Sequence, residues 1–280
     1  QQAASALAAA GAQVIGVARR AGALSDWAER IGPKAAALSA DLSERSQIKE
    51  IAAQIAIPFG APDIMVHAAG INTREAADNV TDEGWDITLN LNLAAPFFLS
   101  QALVPDMKAK GWGRIVNFAS LQTTRAFPGG VSYGTSKAGI AQLTRAMAEA
   151  WSGFGINANA IGPGFFPTEL TGPVFADAER SARNAAQTCI GRNGDLSDID
   201  GPLFVSMLTG LCLCDGAGSD GRWWLYREIN LNPARQAGFK LPPDRQNRAC
   251  NPYAILKKPC VVRSLAQRLH MQIAQIGLGI

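Results

Sequence analysis

Gly113-Arg-Ile-Val-Asn-Phe-Ala-Ser120, a loop holding Pro128-Gly129-Gly130, then Tyr133-Gly-Thr-Ser-Lys137, and then Ile156-Asn-Ala-Asn-Ala-Ile161 decide how this chain is read. The first and last runs are short and apolar, as buried strands are, and the stretch from Tyr133 to Trp151 between them reads as a helix. Tyr133 and Lys137 are four residues apart, so they share one helix face about a turn apart and the ammonium can lie close to the phenol. A free phenol has a pKa near 10 and is a poor acid or base at neutral pH. A nearby cation favours the phenolate and draws that pKa toward the working range. Ser120, thirteen residues upstream, would hold a carbonyl or alcohol oxygen while Tyr133 passes the proton. None of these groups carries a hydride, so the chemistry implies a nicotinamide cofactor.

Working outward, the first two hundred residues alternate between helix and strand. Ala3–Ala10 reads as an alanine-rich helix, Ala12–Val17 as a strand, and Ala35–Leu38 as a second strand. Ser46–Ile57 follows as a helix, Asp63–His67 as a strand and Asn90–Lys108 as a long helix. Such alternation predicts an α/β fold, a doubly wound parallel sheet with its ligand outside the carboxyl ends of the strands. The 280 residues, 48% hydrophobic, suffice for a sizeable core. No run approaches eighteen consecutive apolar residues, and no signal peptide is visible. Five cysteines, four of them beyond residue 210, show neither zinc spacing nor a disulfide framework, and two histidines give no metal cluster. A metal-free protein of the cytoplasm is the expectation.

This arrangement of motifs resembles the short-chain dehydrogenase/reductase family, over residues 1 to about 204. The resemblance implies a Rossmann-like fold, NAD(P)-linked oxidoreduction and a catalytic tetrad of Asn92, Ser120, Tyr133 and Lys137. Asn92 stands seven residues after Trp85, as in the family pattern, with Asn90 as the neighbouring alternative. Its family role is to kink a helix so that a backbone carbonyl holds a water beneath Lys137. Lys137 and Tyr133 would also hold the nicotinamide ribose. Pro163, Gly164, Phe166 and Thr168 match the loop that touches the nicotinamide carboxamide and the phosphates. Asp41 matches the adenine contact, a role compatible with capping a helix. In His67-Ala68-Ala69-Gly70 the family usually has Asn-Asn-Ala-Gly. Ala69 and Gly70 still let backbone approach a cofactor, while His67 reads as a hydrogen-bonded residue at a strand end. The strand Gln13–Val17 ends in Ala18-Arg19-Arg20 with no acidic residue to bind a ribose 2′-hydroxyl, and Arg19 suits a 2′-phosphate, so NADP(H) is favoured over NAD(H).

Phe118–Arg125 and Phe165–Leu170 resemble members of the gluconate 5-dehydrogenase type, which act on sugar acids and polyols. Gln122 and Arg125 follow the serine, where side chains can face substrate and Arg125 can pair with a carboxylate. A 3-oxoacyl-carrier-protein reductase is the alternative. Small molecules are the expected partners, with no nucleic acid and no membrane, and intact relatives are homo-oligomers.

Both ends depart from the family. Residue 1 lies inside the helix that follows the usual glycine loop, so the first strand and that loop are expected to be missing. Residues 1–202 carry 16 Lys and Arg against 19 Asp and Glu, whereas the remaining 78 carry 10 against 4. Codons allowed for Cys212–Trp224, read one nucleotide later, encode Ala-Tyr-Val-Thr-Gly-Gln-Val-Leu-Met-Val-Asp-Gly-Gly, a family-like closing peptide. A single-nucleotide frameshift shortly after Phe204 is therefore expected, leaving 1–204 as a truncated catalytic domain and 205–280 as a poorly ordered tail. On that reading the sheet lacks its first and last strands, and the chain is inactive, weakly stable and prone to aggregate.

Overall fold

The computed structural model describes residues 1–207 together with the backbone strands Trp224–Tyr226 and Gln272–Ile276. Helix α1 (Gln2–Ala9) leads into strand β1 (Gln13–Ala18), α2 (Ala21–Ile31) and β2 (Ala35–Ser39). Then come α3 (Ile48–Ile55), β3 (Ile64–His67), α4 (Asp82–Leu89) and α5 (Ala95–Lys110). Strand β4 (Gly113–Phe118), α6 (Val131–Trp151) and β5 (Ile156–Gly162) complete the predicted alternation. Short helices α7 (Gly172–Phe175), α8 (Ala178–Ala186) and α9 (Asp200–Met207) precede β6 (Trp224–Tyr226) and β7 (Gln272–Ile276).

The strands form one sheet in the order β2-β1-β7-β3-β4-β5-β6, parallel except for the antiparallel β5–β6 pair. From β1 the chain steps outward to β2, then crosses to β3 and steps the other way. The reversal falls at β7, where such sheets bind ligands outside their carboxyl ends.

Two expectations are corrected here. The central position is filled, because Gln272–Ile276 pairs in parallel with β1 on one side and β3 on the other. The sheet interior therefore has no open edges, and the argument for weak stability from unpaired backbone groups does not apply. Strand β6 occupies the outer edge of β5, where the last strand was expected to be missing, and runs antiparallel to it. Within the range 205–280, residues 205–207 belong to α9, and Trp224–Tyr226 and Gln272–Ile276 pair into the sheet. The rest of that range lies outside the described residues.

One core lies on each sheet face. Ile48, Ile51 and Ile55 of α3, Leu99, Leu103 and Met107 of α5, and Met147 and Trp151 of α6 fill one. Leu7 of α1, Leu24 and Trp27 of α2, and Leu203 and Met207 of α9 fill the other. A Cβ on Gly16 would come within 2.8 Å of the Trp27 ring, so glycine lets α2 lie close on β1. Trp27 Nε1 donates to Ser5 Oγ at 3.2 Å, and Gln2 donates to both carboxylate oxygens of Asp200, tying α1 to α2 and α9. The buried Arg114 on β4 donates to the carbonyl of Met207 at 3.1 Å and fixes the end of α9.

The continuous helix Asp82–Lys110 is long and apolar enough by composition to cross a membrane. Here Leu99, Leu103, Val104 and Met107 are buried in the core, so it serves as a layer helix of the sheet.

Candidate active site

Backbone hydrogen bonding between β4 and β5 continues one residue past β4, with Ala119 N donating to Ile161 O at 2.8 Å, so Ser120 is delivered at the carboxyl edge. Ser120 caps a short turn. Its Oγ accepts from Gln122 N at 3.2 Å, and its own N–H donates to Thr123 Oγ1 at 3.3 Å. The Thr123 hydroxyl in turn donates to the carbonyl of Lys137 at 3.1 Å. The serine turn is thus fastened to α6 beside the lysine. One turn earlier on α6, the Tyr133 side chain hydrogen-bonds that of Ser120. Lys137 is buried, donates to the carbonyl of Phe118 at 2.7 Å, and its Nζ lies 5.6 Å from the Tyr133 ring centroid. Burial lowers its pKa from 10.5 to about 8.

Asn92 sits, fully buried, in a π-helical turn, Asn90–Ala94, between α4 and α5. A π turn widens the helix and redirects the side chain that follows. Asn92 Oδ1 accepts from Ile71 N at 2.8 Å, and Nδ2 donates to Ile71 O at 2.9 Å and to Ser136 Oγ at 3.0 Å. The neighbouring Asn90 is half-buried. A Cβ built on Gly70 would lie 3.4 Å from Asn92 Oδ1 and 3.6 Å from Lys137 Nζ.

His67 ends β3, buried, with Nε2 2.9 Å from Ser100 Oγ and Nδ1 without a hydrogen-bond partner among the described residues. Desolvation lowers its pKa to about 3, so the ring is neutral. This agrees with a hydrogen-bonded residue at the strand end.

Sequence reasoning passed over Arg74. Its guanidinium reaches the carbonyl of Leu170, and its charge acts on Tyr133. Burial raises the Tyr133 pKa above 10, while the Ser120 hydrogen bond and the Arg74 charge pull the other way. Arg74 has φ of 58°, a left-handed conformation costly for a non-glycine residue and concentrated at functional sites. Only a charge in a loop after Gly70 marked it in the sequence. Arg125, the expected carboxylate partner, is exposed beyond the Ser120 turn, and the cation that acts on the phenol is Arg74. The Gln122 side chain turns toward the start of α6, its Oε1 crowding the space a Cβ on Gly130 would need.

The remaining candidates line the carboxyl edge. Arg19 follows β1, with Nη1 3.9 Å from Asp41 Oδ2 beyond β2. Asp41 Oδ1 also accepts from Ser43 N at 2.9 Å and Oγ at 2.7 Å. Ala69 and Gly70 follow β3, with Ala69 packed against the core. Pro163 and Gly164 follow β5, and Thr168 caps the turn Glu169–Thr171. Phe166 is buried, its ring filling the space beside Gly194, so its side chain packs the loop. The chain fits a nicotinamide ribose at Lys137. Phe118 O is the acceptor of its ammonium among the described residues, and the remaining N–H donors suit ribose hydroxyls.

The family profile described as short chain dehydrogenase matches residues 1–179. The chain is a short-chain dehydrogenase. Among relatives of this dehydrogenase, the 2-dehydro-3-deoxy-D-gluconate 5-dehydrogenase of Escherichia coli is 38% identical over 177 residues, 62% of this chain and 69% of that one. The 3-oxoacyl-(acyl-carrier-protein) reductase FabG of Vibrio cholerae is 31% identical over 193 residues, 69% of this chain and 78% of that one. A gluconate 5-dehydrogenase from Burkholderia cenocepacia, solved in complex with NADP and tartrate, superposes with a TM-score of 0.70 at 30% identity. That match covers 74% of this dehydrogenase and 82% of the solved chain. The dehydrogenase is thus an oxidoreductase, and several of its relatives are sugar-acid dehydrogenases.

Proposed function

We propose that this short-chain dehydrogenase interconverts a hydroxyl and a carbonyl on a sugar acid or related small polyol acid, with NADP(H) as the partner cofactor. The observation that carries the substrate class is the Arg74 cation acting on the phenol of a Ser120–Tyr133 hydrogen-bonded pair. A carboxylate held by that guanidinium keeps the rest of a short, polar molecule within reach of both hydroxyls.

The cofactor, when bound, supplies or accepts the hydride. In the reducing direction Ser120 donates a hydrogen bond to the substrate carbonyl oxygen, and Tyr133 gives that oxygen its proton. Lys137, with a pKa of about 8, is mostly an ammonium at pH 7, its Nζ 5.6 Å from the Tyr133 ring centroid, while the Arg74 charge favours the developing phenolate. Asn92 holds Ile71 and so sets the entry to the loop that bears Arg74.

NADP(H) is favoured because Ala18 puts no carboxylate at the end of β1, and Arg19 and Arg20 follow it. The Burkholderia relative, whose structure holds NADP and the dicarboxylate tartrate, supports both halves of the reading. The carrier-protein reductase reading keeps the same relay but gives Arg74 no acid to bind. Comparing 5-ketogluconate with an acetoacetyl thioester as substrates, each with NADPH, tests the proposal. A preference for the keto acid of tenfold or more in kcat/KM is expected. The reverse preference favours the acyl reading, and no turnover of either favours an inactive relic.

A further inference from the structure

At the carboxyl edge of the sheet, two consecutive arginines turn opposite ways. Arg19 leans toward Asp41 at 3.9 Å, a loose pairing. Arg20 reaches across to the turn that follows β5, where it grips Glu169 with two nitrogens. Its Nη1 donates to Oε1 at 3.1 Å, and its Nη2 donates to Oε1 at 3.2 Å and to Oε2 at 3.1 Å. The partners are 149 residues apart, and the pair ties the end of β1 to the turn after β5.

The geometry points to Glu169 as a residue that sets cofactor selectivity by occupying Arg20. This inference rests on the NADP(H) reading above. Arg19, only loosely paired, offers one guanidinium to a 2′-phosphate at the end of β1, and Arg20 can add a second fork only after releasing Glu169. The carboxylate thus opposes the 2′-phosphate twice, by holding its partner and by like charge. A ribose that bears a plain 2′-hydroxyl meets neither penalty. Both side chains are more than half exposed, at 53% and 57%, so water screens the pair. An exposed pair of this kind shifts an equilibrium by roughly two- to fivefold, small enough for a dianionic phosphate with three acceptor oxygens to displace it. Glu169 is therefore a moderating residue, which narrows the preference for NADP(H) without abolishing it.

Dissociation constants of NADP+ and NAD+, measured by calorimetry on the full chain, test this. Glu169→Gln should tighten NADP+ about two- to fivefold or more and leave NAD+ within its error. In an Arg20→Gln background the same Glu169→Gln change should tighten NADP+ clearly less, since only the like-charge part remains. If Glu169→Gln leaves NADP+ unchanged, or tightens both nucleotides equally, the inference fails while the NADP(H) reading stands. If it tightens NADP+ equally without Arg20, Glu169 acts by bulk charge and the assignment to Arg20 fails. A chain that prefers NAD+ or binds neither nucleotide overturns both the inference and the reading beneath it.

Discussion

The side-chain amide of Asn92 makes both backbone hydrogen bonds of Ile71, accepting from its N–H at 2.8 Å and donating to its carbonyl at 2.9 Å. A helix side chain thus serves as a strand neighbour for the segment that leaves β3. The π turn makes this possible by aiming Asn92 inward at the point where Gly70 gives room.

Replacing Asn92 by Ala should strand both Ile71 groups and the Ser136 hydroxyl contact. Each buried unpaired group costs about 1–3 kcal/mol, so a loss of roughly 2–4 kcal/mol in urea unfolding is expected. A variant within 0.5 kcal/mol, about the spread of a neutral surface change, would show that water replaces the clamp.

His67 should make the protein acid-labile. Its folded pKa of about 3 lies below the ordinary 6.5, so the unfolded chain binds the extra proton between those values. Stability is then present above pH 6.5 and lost toward pH 3, at no more than about 1.4 kcal/mol per pH unit. His67→Asn, the residue usual at this position in the family, should flatten the fall in melting temperature between pH 6.5 and pH 4. An unchanged slope would assign the lability elsewhere.

Lys137 titrates in the opposite range with the same sign. Its pKa falls from 10.5 to about 8 on folding, so its burial penalty is full below pH 8 and relieved as pH rises to 10.5. Lys137→Met should remove that alkaline gain in stability. In the unmodified chain, carbonyl reduction should decline above an apparent pKa near 8 as the ammonium is lost. A rate flat to pH 10 would contradict the role given to this cation.

Arg74→Ala should raise KM for an acidic substrate roughly tenfold to a hundredfold, the worth of a lost charge-assisted contact, with a smaller change for a neutral ketone. Equal effects on both substrates would mean that Arg74 acts only through the Leu170 turn.

The placement of Ser120, Tyr133 and Lys137 was legible in the sequence because it is local. Ser120 ends one strand, Tyr133 and Lys137 share one helix turn, and each spacing maps directly onto an element. Arg74 was not legible, since its loop has no period and its approach to Tyr133 depends on a positive φ and on the Asn92 clamp, neither written in residue types. The central strand was missed for a different reason. Gln272–Ile276 lies far along the chain from its partners β1 and β3, and a five-residue run carries no mark of which sheet position it fills. The long helix was read from Asn90, whereas helical backbone begins at Asp82, where Thr81 caps it by accepting from Gly84 N at 3.0 Å.

The most direct test is NADPH oxidation with 5-ketogluconate by the unmodified chain and by Tyr133→Phe, with nucleotide affinity measured on both. Removing one oxygen leaves the ring, the helix and the Lys137 contact in place but takes away the proton donor. Turnover by the unmodified chain, against the inactivity expected from its missing glycine loop, and a loss of about a hundredfold to ten-thousandfold in the variant, at unchanged nucleotide affinity, are the predicted results. A variant that keeps its rate within about threefold, or an unmodified chain with no turnover, would contradict a working Ser120–Tyr133–Lys137 relay.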